Sequence, residues 1–177
     1  MRRLPFFLFF LFPFFVEAQV SNFHLESGSI QYQRIYDVDG VSEDQLIEKL
    51  NSRLSSVSGL RDMNFNGSVF TGRIEGLMID YKKFGGKSMT TWTALNFPMN
   101  AILTIQVKDN RYRILLTDIE TKGDDLLIGT YIFNSLVTKN KGTEITTNKT
   151  VLSGLDLIDK FLFEKFNFNS AQIEDDW

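Results

Sequence analysis

The chain has 177 residues, no cysteine, a single histidine (His24), a formal net charge of −3 and a pI of about 5.2. Without cysteine there can be no disulfide framework, thiolate nucleophile or Cys-ligated metal centre, and one histidine excludes His-cluster metal sites. The acidic balance argues against a basic nucleic-acid-binding domain, so we expect no nucleic-acid partner.

Residues 1–18 have the organisation of a secretory signal peptide. An Arg-Arg pair at positions 2 and 3 precedes an apolar run from Leu4 to Val16, and Val16-Glu17-Ala18 places small residues where a signal peptidase cleaves. The run is shorter than the roughly 20 apolar residues of a spanning helix. We therefore predict cleavage between Ala18 and Gln19, giving a periplasmic or secreted protein with no transmembrane segment in the mature chain. The alternative is an uncleaved membrane anchor.

The mature chain begins with a polar lead-in over residues 19–29, in which Phe23 and Leu25 are the apolar residues available for docking. Ile30 to Val38 then alternates between apolar and polar residues, which predicts a half-buried strand. Asp39-Gly40 predicts a turn after this strand.

A helix is predicted from Ser42 to about Ser56. Ser42 and Gln45 have the spacing of a capping box, and two acidic residues follow Ser42 in the first turn. The residues of its apolar stripe recur at helical spacing: Leu46, Ile47, Leu50, Leu54 and Val57. Gly59 stands where a C-terminal cap is expected.

Less regular segments follow this helix. Ile74 to Tyr81 is predicted as a strand, and Phe84 to Asn96 as a loop or, alternatively, an irregular edge strand. After the central hairpin described below, Ile128 to Val137 fits either a strand or a short helix, and Lys139 to Thr150 is predicted as a loop. Val151 to Phe168 is predicted as a second helix, followed by a tail over residues 169–177. Its apolar stripe consists of Leu155, Ile158, Leu162 and Phe166.

Met99 to Glu120 is predicted as a β-hairpin whose turn is Asp109-Asn110, because both residue types tolerate positive φ. This register pairs apolar residues on one face, which must face the core: Val107 with Tyr112, Ile105 with Ile114, and Leu103 with Leu116. The same register puts polar pairs on the other face: Lys108 with Arg111, Gln106 with Arg113, and Thr104 with Leu115.

The order of elements predicts a single α+β domain over residues 30–168, with an antiparallel sheet and two helices packed on one of its faces. The core residues predicted to lie together are Leu46, Leu50, Leu54, Leu103, Ile105, Val107, Ile114, Leu116, Ile158 and Leu162.

Three local patterns carry a resemblance to a known family. They are Gly28-Ser29-Ile30-Gln31-Tyr32 leading into Val38-Asp39-Gly40-Val41-Ser42 and Glu43-Asp44-Gln45-Leu46, then Gly72-Arg73-Ile74-Glu75-Gly76, and finally Val107-Lys108-Asp109-Asn110-Arg111-Tyr112-Arg113. On these residues, Ile30 to Ile119 resembles a family of exported Bacteroidetes proteins that carry a domain of unknown function with a TBP-like fold. The resemblance implies a two-layer domain with a curved antiparallel sheet. The chain departs from the family in having Asn110 where a Gly is usual and Ile47 where a Tyr is usual.

No catalytic, cofactor or metal site is predicted. Asp37, Asp39, Glu43 and Asp44 lack the ligand spacing of an EF-hand, and turn and cap formation accounts for them. His24 in a lead-in segment would make a poor general base. The carboxylates that remain as candidates for acid–base chemistry share only their residue type: Asp80, Asp118, Glu120, Asp124 and Asp125.

The outward face of the hairpin is the candidate binding surface. Gln106, Lys108, Arg111 and Arg113 cluster there, and a neighbouring strand can add Gln31 and Gln33. A basic, amide-rich sheet face in an acidic protein suits an anionic ligand or an acidic partner, whereas the alternative is an ordinary solvated face. We predict an exported, non-enzymatic binding domain that contacts an anionic envelope ligand or an envelope protein. The alternatives are an envelope-polymer-acting enzyme of unrecognised type or a purely structural component.

Overall fold

The computed structural model describes residues 22–122 and 130–168, so the predicted signal peptide and the tail over residues 169–177 lie outside the described residues. The strands are β1 (Phe23–Glu26), β2 (Ser29–Asp37), β3 (Leu60–Asn66), β4 (Val69–Leu77), β5 (Met99–Lys108), β6 (Arg111–Lys122) and β7 (Thr130–Ile132). The helices are α1 (Glu43–Leu54), α2 (Phe133–Val137) and α3 (Lys149–Phe166).

The main sheet is antiparallel and has the strand order β1-β2-β6-β5-β4-β3, with β7 pairing along one end of β6. The β5–β6 hairpin lies at its centre with the register predicted from the sequence, including Ile105 opposite Ile114 and Lys108 opposite Arg111. Because side chains alternate along each strand, this register separates an apolar inner face from a polar outer face.

The two long helices cover the inner face. All ten predicted core residues are buried there, and the predicted α+β class is confirmed. Helix α1 begins as predicted, because the Ser42 hydroxyl accepts a hydrogen bond from the Gln45 N–H and the Gln45 side chain accepts one from the Ser42 N–H. Helix α3 begins two residues earlier than predicted because Asn148 caps it through its side-chain oxygen.

Three predictions about the elements need correction. Part of the lead-in, Phe23–Glu26, is strand β1, which pairs with β2 and buries Phe23. Strand β4 begins at Val69 and ends at Leu77, and it forms a hairpin with β3 through Asn66 and Gly67, so the prediction of a strand over Ile74–Tyr81 is wrong at both ends. The prediction of Gly59 as the C-terminal cap of α1 is wrong, because Ser55 is the C-cap residue.

Gly59 serves a different purpose from the predicted cap. Its φ is +81°, and a Cβ there would lie 2.8 Å from the carbonyl oxygen of Glu75, while its own carbonyl accepts a hydrogen bond from the Glu75 N–H. The glycine therefore lets the chain after α1 pass close to β4.

The remaining segments combine the alternatives that the sequence left open. Phe84 to Asn96 is a connection ending in a 3₁₀ turn at Thr93–Asn96 rather than an edge strand. Within Ile128 to Val137, the described residues form both β7 and α2. The predicted loop over Lys139–Thr150 includes a short two-stranded pairing, Thr138–Lys139 with Glu144–Ile145.

Candidate functional site

The four predicted site residues meet at one end of the outer sheet face. Gln106 and Lys108 come from β5 and Arg111 and Arg113 from β6, and Ile35 of β2 completes the rim. Together with Tyr112 of β6, they line an open cavity of about 250 Å³. We call this cavity the hairpin pocket, and its lining is Ile35, Gln106, Lys108, Arg111, Tyr112 and Arg113.

Arg113 is held in place by amide oxygens on both sides. Its Nη1 donates to Oε1 of Gln33 at 3.4 Å, and its Nη2 donates to Oε1 of Gln106. Gln33 lies on β2 and Gln106 on β5, the two strands that flank β6. Neither amide neutralises the guanidinium charge, so Arg113 is oriented on the sheet surface and remains a full positive charge.

Lys108 and Arg111 are exposed and lie directly opposite each other across the hairpin. Like charges at directly opposite positions destabilise an antiparallel pair by roughly 0.2–1 kcal/mol. Asp37 of β2 lies directly opposite Arg111 on the other side of β6, and the lining of the pocket itself contains, among the described residues, three cations and no carboxylate. The pocket therefore brings together cations whose mutual repulsion an anion would relieve.

The turn of the hairpin is hydrogen-bonded to the segment that leads into α1. Oδ1 of Asp109 accepts a hydrogen bond from the Glu43 N–H at 2.9 Å, and Oδ1 of Asn110 accepts one from the Gly40 N–H at 2.9 Å. Asn110 has a φ of +61°, as predicted, but Asp109 is not among the residues with positive φ. These bonds fix the hairpin end, and hence the pocket, relative to the helix layer.

The inner side of the sheet beneath the pocket is rigidly packed. The Tyr112 hydroxyl donates to the Phe166 carbonyl at 2.7 Å, and the Tyr112 ring stacks on Tyr36 with centroids 4.9 Å apart. Burial raises the pKa of the Tyr112 hydroxyl far above its usual range. The pocket is thus built on strands whose other face belongs to the core.

A polar cluster that the sequence analysis missed lies on the inner face of β2. Oδ1 of Asp159 in α3 accepts hydrogen bonds from Asn22, Tyr32 and Arg34 at 2.8, 3.0 and 2.9 Å. Arg34 falls on the same side of β2 as Tyr32 and Tyr36, so its position in the alternation was the available signal. The cluster joins sheet to helix and does not reach the hairpin pocket.

The other candidate residues named in the sequence analysis do not lie together in one site. His24 lies on β1 opposite Gln31, Asp80 is in the connection after β4, and Asp118 and Glu120 are at the far end of β6. Asp124 and Asp125 lie outside the described residues. In the described part of the chain, no three His, Asp or Glu side chains are grouped as metal ligands, and no helix is both long and apolar enough to span a membrane.

Comparison with known proteins identifies the fold. No protein-family model matches the chain, and no curated protein matches it in sequence. The structure is similar to that of a TBP-like protein from Parabacteroides distasonis, with a TM-score of 0.57 and 17% identity over 82% of this chain and 96% of that one. It is also similar to a DUF4468 family protein from Bacteroides ovatus, with a TM-score of 0.50 and 14% identity over 84% of this chain and 91% of that one. The chain therefore shares the TBP-like fold of these Bacteroidetes proteins, in agreement with the resemblance in its sequence.

Proposed function

We propose that this protein is an exported, non-enzymatic binding domain that uses the hairpin pocket to hold an anionic group of a cell-envelope ligand or protein partner. The observation that carries the proposal is the meeting of Lys108, Arg111 and Arg113 around one cavity on the outer sheet face. Three cations so close together create a local positive field that the net charge of −3 conceals.

The arrangement of the pocket supports a binding surface rather than an ordinary sheet face that contacts only solvent. A solvated sheet face needs no oriented side chain, yet Arg113 is held between Gln33 and Gln106. The direct opposition of Lys108 and Arg111 lowers the stability of the hairpin. An anion would offset that cost, and its binding would stabilise the folded state.

Export and the lack of enzymatic activity rest on the sequence. Residues 1–18 have the order of a signal peptide, and the chain contains neither cysteine nor a second histidine to assist His24. Intact-mass analysis of the protein released by its native host tests export. We expect a mature N-terminus within two residues of Gln19, and a released protein that retained residues 1–16 would contradict export by cleavage.

A pull-down from native envelope extract tests the binding role. The baits are the wild type, the double variant Lys108→Gln with Arg111→Gln, and the matched control Arg61→Gln with Arg73→Gln. Arg61 and Arg73 also lie opposite each other on the outer face, so the control removes the same charge from another cross-strand pair, together with the exposed ion pair between Arg73 and Glu75. Arg73 is about 14 Å along the strands from Gln106, the nearest residue of the pocket.

We expect the wild type and the control to capture the same partner, and the pocket variant to lose it. Raising the salt concentration should release the partner, because exposed charges are screened beyond about 8 Å at physiological ionic strength. An identical set of captured molecules for all three baits would contradict the proposed function. The unfolding temperatures of the three proteins, measured beforehand, show whether each bait is folded.

A further inference from the structure

We infer that the anionic group held in the hairpin pocket is a phosphate monoester, an inference that rests on the proposed function and specifies its ligand. The argument starts from the number of charges. A carboxylate or a sulfate ester has one negative charge, whereas a phosphate monoester has about −1.5 to −2 at pH 7. Three cations line the pocket and Asp37 lies opposite Arg111, so a ligand with two negative charges balances this group, whereas a ligand with one leaves it positive.

The donors of the pocket also match the oxygens of this group. A phosphate monoester presents three strongly accepting oxygens, and Lys108, Arg111 and Arg113 can each direct an N–H group to one of them. Arg113 uses one N–H on each of Nη1 and Nη2 for Gln33 and Gln106 and so keeps donors for a ligand. Lys108 and Arg111 are exposed side chains that can close on the anion from either side.

Ile35 indicates what adjoins the phosphate. Its side chain is 51% exposed at the rim of the pocket, which makes it the apolar part of an otherwise polar lining. A carbon group attached to the phosphate oxygen could cover this surface, and free inorganic phosphate could not. The ligand class is therefore an organic phosphate monoester, carried either on a soluble molecule or on a lipid headgroup.

The pH dependence of binding distinguishes this class from other anions. A phosphate monoester gains its second charge as pH rises through about 6, whereas a sulfate monoester keeps one charge throughout. The groups near the pocket that could titrate are Asp37 opposite Arg111, Asp109 at the turn and, farther along the face, His24. A change in their charge would shift the affinity for both probes in the same direction, so a rise in affinity with pH for ethyl phosphate alone reports titration of the ligand.

The test titrates the purified mature protein with ethyl phosphate and with ethyl sulfate at about pH 5 and about pH 7.5, in physiological salt. We expect ethyl phosphate to bind severalfold more tightly at the higher pH and at least about tenfold more tightly there than ethyl sulfate, because its second negative charge strengthens both the attraction to the cations and the hydrogen bonds that its oxygens accept. Lys108→Gln with Arg111→Gln should weaken ethyl phosphate binding at least about tenfold, and the control Arg61→Gln with Arg73→Gln should leave it unchanged.

Vesicles separate the two sources of the phosphate. Phosphatidic acid presents a phosphate monoester and phosphatidylglycerol a diester, each mixed at equal content into phosphatidylcholine. Co-sedimentation with phosphatidic acid vesicles that depends on Lys108 and Arg111 would indicate a lipid headgroup, and binding of ethyl phosphate alone would indicate a soluble ligand. Both results support the inference.

Two results would overturn the inference while leaving the proposed function intact. One is equal, pH-independent binding of both esters that still depends on Lys108 and Arg111. The other is no binding of either ester by a protein whose pull-down from envelope extract does depend on these residues. If the pocket variant captured the same molecules as the wild type and bound both esters as the wild type does, the proposed function would be contradicted as well.

Discussion

Nη1 of Arg34 lies 2.9 Å from Oδ1 of Asp159, an ion pair that joins β2 to α3 at the edge of the core. The guanidinium also lies over the Phe163 ring, with its central carbon 4.1 Å from the ring centroid. Burial disfavours the charged guanidinium and is the largest single influence, but the attraction of Asp159 together with the interactions with Tyr32 and Tyr36 outweighs it and raises the pKa of Arg34. The same carboxylate oxygen accepts a hydrogen bond from the Tyr32 hydroxyl, so one acceptor binds several donors.

We expect Asp159→Ala to destabilise the protein by about 1–3 kcal/mol, because it leaves the donors of Asn22, Tyr32 and Arg34 without their acceptor in a partly buried site. The side chains of Arg34 and Asp159 are 25% and 14% exposed. Urea denaturation measures the change. The matched control is Asp156→Ala, which breaks the exposed ion pair with Lys160 on the same helix and should cost less than about 1 kcal/mol. Equal effects of the two substitutions would contradict a structural role for the cluster.

The two faces of β5 should respond differently to the same truncation. Ile105 is fully buried on the inner face, whereas Ile102 on the outer face is 42% exposed. We expect Ile105→Ala to lower the free energy of unfolding by about 2–5 kcal/mol, because it removes buried methyl groups and leaves a cavity. Ile102→Ala should cost much less. Similar denaturation midpoints for the two variants would show that the core face has been assigned incorrectly.

We expect Asn110 to stabilise the hairpin turn more than the Gly that is usual at this position in the family that the sequence resembles. Gly would accept the φ of +61° but would lose the side-chain oxygen that binds the Gly40 N–H. We therefore expect Asn110→Gly to cost about 1 kcal/mol and Asn110→Ala to cost more, since Ala loses the hydrogen bond and is also strained at positive φ. Thermal unfolding gives the order, and an Ala variant more stable than the Gly variant would contradict this explanation.

The buried tyrosines should make the protein sensitive to alkali. Burial raises the pKa of Tyr32, Tyr36 and Tyr112 in the folded state, while the unfolded chain ionises near pH 10. Their contribution to stability is therefore complete below about pH 10 and is lost as pH rises above it, because the unfolded state then binds fewer protons than the folded state.

We expect the unfolding temperature to fall steeply above about pH 10, together with the appearance of tyrosinate absorbance. In Tyr112→Phe, stability should depend less steeply on pH in this range, although the variant starts from a lower value because it loses the hydrogen bond to Phe166. Tyrosine ionisation in the folded protein without any loss of stability would contradict the burial of these hydroxyls.

Much of the fold could be predicted because local signals and the tertiary structure agree. The capping box at Ser42 and Gln45 set the start of α1, and a short turn at Asp109-Asn110 fixed the register of β5 and β6. Strand β3 could not be predicted, because its register shifts between Arg61 and Asn64, at a bulge where Asp62 has positive φ, and the shift breaks the alternation on which the prediction depends.

The candidate site was predictable in its residues but not in its geometry. Hairpin register alone placed Gln106, Lys108, Arg111 and Arg113 together. That Gln33 would hold Arg113, and that Ile35 would complete the pocket, depended on the pairing of β2 with β6, two strands far apart in the sequence. The Arg34–Asp159 pair was missed for the same reason, since helical spacing does not show which strand residue faces Asp159.

The central claim is that a ligand or partner occupies the hairpin pocket in the cell envelope, and site-specific photocrosslinking in the native host tests it most directly. A photoreactive amino acid at position 35 lies in the pocket, and one at position 102 lies on the same face about 17 Å away with similar exposure. We predict a discrete adduct from position 35 that disappears when Lys108 and Arg111 are changed to Gln, and no such adduct from position 102. Adducts from position 102 but not from 35, or an adduct at 35 that survives the Gln changes, would contradict the account.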